Sequence, residues 1–273
     1  MDKVSVIIPT WNRAGTVASA VLSALRQTVL PLEILVCDDG STDETERIVR
    51  ELGDPRIKWL PGSRAGRPAV PRNRGVAASE GEWLAFLDSD DAWLPEKLER
   101  QLKAVGDEGC KASCTNALRY VRGKGDDGTL LTWRKNRIRF EDLVEENVVV
   151  CSSALVHRSL LNEAIGFPEE TSLRALEDYA LWLRISTQTD FAYIPEAQVI
   201  YFDDVDSSIR ADSENVLVQR RHVLGNLRNW GRNRRVTLAY RLKIEKAFFL
   251  NEARMITADS MKALSRLKER FKP

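Results

Sequence analysis

Histidine and cysteine are scarce in this 273-residue chain, and their scarcity is the first constraint on its chemistry. The 2 histidines are His157 and His222, and the 4 cysteines are Cys37, Cys110, Cys114 and Cys151. None of the cysteines makes a C-x-x-C pair, so the spacing of a structural zinc site is missing. Cys37 lies inside an apolar run and reads as a small buried hydrophobe. Nothing calls for an oxidising compartment. No apolar run approaches the roughly 18 residues that cross a bilayer. The first strand begins at Val4, which leaves no room for a secretory leader, so a cytoplasmic location is expected. A formal net charge of +1 gives no overall pull toward nucleic acid, and none is expected as a partner. Internal repeats and low-complexity linkers are also missing.

The charge that is present is unevenly spread. From Arg210 to Pro273, 16 Lys+Arg stand against 6 Asp+Glu, a net +10 that leaves −9 for the rest of the chain. An acidic body with a basic tail predicts an interaction surface at the end of the chain. In the tail, Leu224, Leu227, Trp230, Leu238 and Leu242 interleave with arginines and lysines. A helix of that kind suits peripheral contact with an anionic membrane. The alternatives are a solvated face packed on the acidic body, or a contact in a homo-oligomer.

The first 105 residues alternate between buried-strand runs and helical spacing, which predicts an α/β, Rossmann-like, mostly parallel sheet with helices on both faces. The strands are Val4–Ile8, Glu33–Cys37, Ile57–Leu60 and Trp83–Leu87. Apolar residues at Val17, Ala20, Val21, Ala24 and Leu25 have helical spacing. Ser41 and Glu44 have the spacing of a capping box for a helix through Ile48 and Leu52. Further helices are expected near Arg72–Ser79 and, after Pro95, through Leu98, Leu102 and Val105.

Three strands end in unusual loops: Pro9-Thr10-Trp11, Asp38-Asp39-Gly40 and Asp88-Ser89-Asp90-Asp91. In a parallel sheet these ends share one edge, and that edge is where ligands bind. A buried strand cannot run into adjacent charges without leaving the core, so the last cluster belongs at a strand's carboxyl end. Taken alone, that cluster is also consistent with an acidic turn capping the next helix. The convergence of an aromatic ring and two acidic clusters favours a metal–diphosphate site, because Mg²⁺ in phosphate sites is commonly held by one or two carboxylates plus the phosphates.

The second half reads less regularly. Lys111–Val121 and Thr129–Arg134 look like strands joined by Gly123-Lys124-Gly125-Asp126-Asp127-Gly128. This matches G-x-G-x-x-G, but a dinucleotide fingerprint must open a helix, and strand-like residues follow here. It reads as a hairpin loop. Short helices are expected at Phe140–Glu146 and from Ser159, and a core-facing one at Glu177–Ile185. Phe191–Ile194 and Gln198–Phe202 read as strands. An acidic loop then follows, and from Asp212 the basic tail. The expected organisation is a first half, 1–105, a second half, 106–210, and the tail, 211–273.

Val4–Arg13, Asp38–Asp43, Arg72-Asn73-Arg74-Gly75, Asp88–Asp91 and Glu177-Asp178-Tyr179 resemble, in order and spacing, the inverting GT-A glycosyltransferases of family 2. The resemblance covers residues 1 to about 205. It implies that Pro9 and Trp11 border the nucleotide base, that Asp39 accepts the uracil imide N–H, and that Arg72 lies near the base and phosphates. It further implies that Asp90 approaches the ribose or metal, that Asp91 is the direct Mn²⁺ or Mg²⁺ ligand, and that Asp88 supports the loop. Asp178 is implied as the general base, with Glu177 orienting it or the acceptor. The plain alternative for these two is charge complementing a helix dipole.

Many relatives carry a histidine after the last strand. Here the region reads Tyr201-Phe202-Asp203-Asp204, neither histidine fits by position, and Asp204 is the candidate replacement ligand. The loop 203–212 is a candidate cover for the donor.

The expected function is metal-dependent, inverting transfer of a sugar from a nucleotide-sugar donor, with UDP favoured, to a glycan, lipid-linked or other hydroxyl. Two alternatives are a sugar-1-phosphate nucleotidyltransferase and a catalytically inactive binding module. The first would need a Gly-rich basic loop after the first strand, where this chain has Pro9-Thr10-Trp11-Asn12-Arg13.

Overall fold

The computed structural model describes residues 2–121, 123–203, 215–234 and 236–270. The strands are β1 (Val4–Thr10), β2 (Glu33–Asp38), β3 (Ile57–Leu60), β4 (Trp83–Phe86), β5 (Ala92–Trp93), β6 (Ala112–Val121), β7 (Gly125–Thr129), β8 (Arg137–Ile138), β9 (Leu155–His157) and β10 (Phe191–Asp203). The helices are α1 (Val17–Leu25), α2 (Thr45–Glu51), α3 (Ala69–Ala78), α4 (Lys97–Glu108), α5 (Phe140–Glu145), α6 (Arg158–Ala164), α7 (Glu177–Ile185), α8 (Val216–Arg232) and α9 (Leu238–Arg270).

One sheet runs in the order β3-β2-β1-β4-β9-β6-β10-β5. The first four strands are parallel. β9 is antiparallel to both of its neighbours, and β10 is parallel to β6. β1 is buried along its whole length, as a strand covered on both faces must be. Its side chains alternate between two cores. Val4, Val6 and Ile8 pack with Val17, Val21, Val49 and Leu98 of α1, α2 and α4. Ile7 faces the other core, formed by α5 to α8 and Ile244 and Ala247 of α9. Helices therefore cover both faces of the sheet.

The spacing reading of α1 holds: Val17, Ala20, Val21 and Ala24 are its buried residues. α7 goes beyond expectation, because all nine of its residues are buried. The Trp182 ring packs against Phe86, Phe167 and Phe191 at centroid distances of 6.0, 6.0 and 5.9 Å. Burial of each such side chain stabilises the fold by roughly 1.5–3 kcal/mol, so the first turn of α7 has a rigid base.

Four expectations need correction. Ser41 and Glu44 make no capping box. The Ser41 hydroxyl donates to Asp38 (2.5 Å), and the N-cap Glu44 makes no side-chain cap bond. A nearer acceptor three residues upstream, at the end of β2, captured the serine. The second strand of the hairpin lies at Gly125–Thr129 rather than 129–134, and it pairs antiparallel with β6, so the glycine-rich segment is the hairpin itself. Phe191–Ile194 and Gln198–Phe202 are one strand whose register shifts around Pro195, a residue with no N–H for the ladder. In the tail, Leu224, Leu227 and Trp230 are core residues, whereas Leu238 and Leu242 are exposed. The tail also pairs with acids of the body: Lys243 with Glu141, Arg220 with Glu145 (3.0 Å), and Arg254 with Glu145 (3.1 Å).

Candidate active site

The carboxyl ends of β1, β2 and β4 open into a cleft of about 1360 Å³. Pro9, Trp11, Asp39, Arg72, Asp88, Asp90 and Asp178 all line it.

At one end, Trp11 presents a half-exposed indole from the loop after β1. The Arg64 guanidinium lies 3.6 Å above that ring and also pairs with Asp39. The Asp39 carboxylate accepts from the N–H groups of Ala65 (2.8 Å) and Gly66 (3.0 Å), so the 64–66 loop is folded onto it. Gly40 permits that closeness. Its φ of +79° suits glycine, and a Cβ there would meet the Arg64 backbone nitrogen at 2.9 Å.

In the middle lies the acidic loop after β4. Arg72, projecting from α3 and almost fully buried, pairs with Asp88 at 2.5 Å. Burial opposes its charge, but Asp88 foremost, with Asp178 and others, keeps the guanidinium firmly protonated. Asp90 pairs with Arg13 at 3.1 Å. Burial and the charge of Asp88 raise the Asp90 carboxyl above its usual range, against the pull of Arg13. Such crowding of like charges is what a bound cation relieves.

At the start of α7, Asp178 faces the cleft and takes the Tyr179 N–H at 2.8 Å. Glu177 lies behind it, 1% exposed, with its Oε1 bonded to nothing. Burial pushes the Glu177 carboxyl up to about 7, against the nearby charge of Arg72. The preceding residue but one, Ala175, has a left-handed backbone (φ 64°), strained for a residue with a Cβ. That turn delivers Arg174 and Asp178 to the same cleft.

Comparison with known proteins shows the family and the fold. Residues 5–164 match the family described as glycosyl transferase family 2. The chain belongs to that family. It is 33% identical over 191 residues to an Escherichia coli protein named UDP-Glc:alpha-D-GlcNAc-diphosphoundecaprenol beta-1,3-glucosyltransferase WfgD, covering 70% of this chain and 72% of the relative. A second E. coli protein of the same description, WfaP, is 30% identical over 88% of this chain and 92% of its own length. Among solved structures, S. aureus TarS residues 1–349 in complex with UDP-GlcNAc superposes with a TM-score of 0.72 at 21% identity, over 91% of this chain and 72% of that one. The architecture is thus the GT-A fold, with C-terminal helices, and the protein is a glycosyltransferase.

Within this family 2 enzyme, the acidic residues divide differently from the sequence reading. Asp91 does not line the cleft. It is 3% exposed, the Ser152 hydroxyl donates to one carboxyl oxygen (2.5 Å), and the Phe202 N–H donates to the other (3.1 Å). Burial first, then Asp88 and Asp90, pushes its carboxyl well above the usual range. Its carboxylate is tied to Ser152 and Phe202, and Asp88, expected to support the loop, lines the cleft. Ser152 joins both ends of the loop, because it also accepts the Asp88 N–H at 3.1 Å.

Asp204 and the rest of the loop 204–212 lie outside the described residues. His222, set aside by its sequence position, lines the far wall of the cleft from α8. His157 instead packs edge-on to Trp83 and bonds Ser159. Arg64 and Arg174 carried no sequence signal, since a lone arginine in a loop has no periodicity to betray it.

The donor set suits a hard divalent ion. Asp88 and Asp90 offer oxygen ligands only. Among the described residues no three His, Cys, Asp or Glu converge on one point. Two such carboxylates would hold Mg²⁺ or Mn²⁺ only together with phosphates and water, not as an all-protein cage.

Proposed function

We propose that this glycosyltransferase moves a hexose from a UDP-sugar, with inversion and with a divalent cation, to a hydroxyl of a lipid-linked or other glycan acceptor. The observation that carries this reading is the convergence of Trp11 and Asp39, of Asp88 and Asp90, and of Asp178 along one cleft. The names of WfgD and WfaP specify a UDP-Glc donor and a diphosphoundecaprenol-linked acceptor, and TarS has been solved in complex with UDP and with UDP-GlcNAc. Those names support the donor class.

Each residue then has a chemical task. Trp11 offers a stacking face to the base. The Asp39 carboxylate, an acceptor only, selects the imide N–H of uracil; thymine offers the same donor. Asp88 and Asp90 would hold the cation, Mn²⁺ or Mg²⁺, with Arg72 and Arg13 fixing their orientation. When bound, the cation neutralises charge that develops on the leaving diphosphate. Asp178 removes the proton of the attacking hydroxyl, which is otherwise too weak a nucleophile. Attack from the Asp178 side, opposite the leaving group, inverts the anomeric carbon. Glu177, protonated through much of the range below neutrality, leaves Asp178 as the cleft-facing base of the pair.

Peripheral membrane contact would fall to α9, because the apolar stripe of α8 is already in the core. Leu238, Leu242, Phe249 and Ile256 are exposed on α9 and recur at near-heptad spacing. No helix among the described residues is long and apolar enough to cross a membrane. The free, buried thiols suit a reducing compartment, and we place the enzyme in the cytoplasm at the inner membrane face.

The deciding experiment is a nucleotide-sugar screen with Mn²⁺ and Mg²⁺, read by release of nucleoside diphosphate. UDP release dependent on cation and acceptor is expected. Pyrophosphate release from a nucleoside triphosphate would instead support a nucleotidyltransferase. Tight donor binding without turnover on any acceptor would support a binding module.

A further inference from the structure

Beyond the donor end, the cleft still has a ligand to accommodate. Its volume of about 1360 Å³ exceeds the roughly 300–1,000 Å³ of an ordinary small-ligand pocket. The extra space is walled by residues 171–176 and by Gln219, Arg220 and His222 of α8. Six arginines line the whole cleft: Arg13, Arg64, Arg67, Arg72, Arg174 and Arg220. Five have a partner within the protein. Arg13 holds Asp90, Arg64 holds Asp39, Arg72 holds Asp88, Arg220 holds Glu145, and Arg67 donates to the Glu169 carbonyl. Arg174 is the exception. It is exposed, and its guanidinium has no partner among the described residues.

Its place in the chain is equally telling. Arg174 precedes the strained Ala175 and stands four residues before Asp178, so it belongs to the base side of the cleft and not to the acidic loop where the donor diphosphate would lie. Two carboxylates share this wall, Glu145 and Glu146. Glu145 is already bracketed by Arg220 and Arg254. An unpaired planar fork lining the same cleft as the base fits a bidentate oxyanion.

We propose that Arg174 recognises a phosphate or diphosphate ester on the acceptor, next to the sugar whose hydroxyl attacks. The proposal rests on the glycosyl-transfer reading above and deepens it by assigning a residue to the acceptor's charge. The ester belongs either to a lipid diphosphate or to a phosphodiester-linked chain, which share this chemistry.

The test uses the full chain and three acceptors of the same sugar: an α-diphosphate ester of a long alkyl alcohol, an α-phosphate diester of a short alcohol, and a neutral alkyl α-glycoside. Acceptor KM is read by UDP release, and acceptor binding to UDP-saturated enzyme by calorimetry. Arg174→Gln is expected to raise KM and weaken binding about tenfold or more for a phosphate-bearing acceptor, with less than twofold change for the neutral glycoside. Arg174→Lys recovers part of the loss. The ester with the larger effect identifies the source. UDP affinity stays as in the wild type.

Equal change across the three acceptors, no change for either ester, or no ester binding by the wild type overturns the assignment. Ester binding that is lost in Arg174→Gln, in an enzyme that transfers no sugar, upholds the subsite and refutes the transfer reading instead.

Discussion

The two ends of the cleft handle negative charge in opposite ways. At the donor end each cleft-facing carboxylate has its own arginine: Asp39 has Arg64, Asp88 has Arg72, and Asp90 has Arg13. At the start of α7 the arrangement reverses. Glu177 is buried with an unbonded oxygen, and the Arg174 guanidinium in the same cleft has no partner among the described residues. The donor end therefore presents carboxylates already held in place by guanidinium partners, ready for a cation and a diphosphate. The base end keeps one carboxyl largely uncharged behind another. Two neighbouring carboxyl groups in unlike environments are a usual way to separate their roles.

The largest effect should come from Asp178. Asp178→Asn keeps the shape of the residue and removes its ability to take a proton. Turnover should fall by roughly 10²–10⁴-fold, while calorimetric UDP affinity stays within twofold. Full turnover in this variant would end the assignment of the base and with it the contrast between the two ends.

Glu177 tests the same contrast through stability. Burial pushes its carboxyl up to about 7 in the fold, from an ordinary value of 4.5. Between those values the unfolded chain loses a proton that the folded chain keeps. Its contribution to stability is thus fully present below about 4.5, is lost as the pH rises toward 7, and is level above that. The total loss is on the order of 3 kcal/mol. Glu177→Gln lacks this titration. Denaturant unfolding should show the variant gaining on the wild type by that order between pH 4.5 and 8; a constant difference would mean that Glu177 is ionised in the fold.

How much of this was readable beforehand follows from the physics of each element. The strand ends were readable because buried parallel strands are continuous apolar runs, and the acids that stop them must lie at the sheet edge. Which acid of Asp88-Ser89-Asp90-Asp91 turns inward was not. A loop has no period, and the choice depends on Ser152 and the Phe202 amide, 61 and 111 residues away from Asp91. The tail shows the same limit. An apolar stripe on α8 announces a buried face without saying whether lipid or the protein's own core covers it, and here α7 and its neighbours do.

A paired substitution sharpens the reading of that loop. Asp90→Ala removes a partly exposed pair with Arg13, worth about 0–1 kcal/mol, and should leave the unfolding midpoint nearly unchanged. It should lower cation-dependent UDP affinity at least tenfold, because an oxygen ligand is gone. Asp91→Ala leaves the Ser152 hydroxyl and the Phe202 N–H without their acceptor. It should cost about 1–3 kcal/mol of stability and affect cation dependence less. If the two variants exchange these phenotypes, Asp91 is the ligand and must turn outward when the cation binds.

The smallest expected effect lies at the base slot. Arg64 is stacked on Trp11 and paired with Asp39, where the proposed reading puts the nucleotide base. A half-exposed ion pair contributes about 0–1 kcal/mol, and an exposed cation–π contact about 0.5–1 kcal/mol. Uracil must displace both before Asp39 can take its imide N–H. Arg64→Ala removes that competition, so UDP should bind a few-fold more tightly by calorimetry, with the gain absent for a ligand lacking the base, such as a simple alkyl diphosphate. The same loop offers the Ala65 and Gly66 N–H groups to Asp39, and these remain in the variant, which keeps the gain small. Weaker UDP binding in Arg64→Ala would reverse the interpretation: the guanidinium would then travel with the base and stack on its outer face, and the donor end would be completed by its ligand rather than cleared for it.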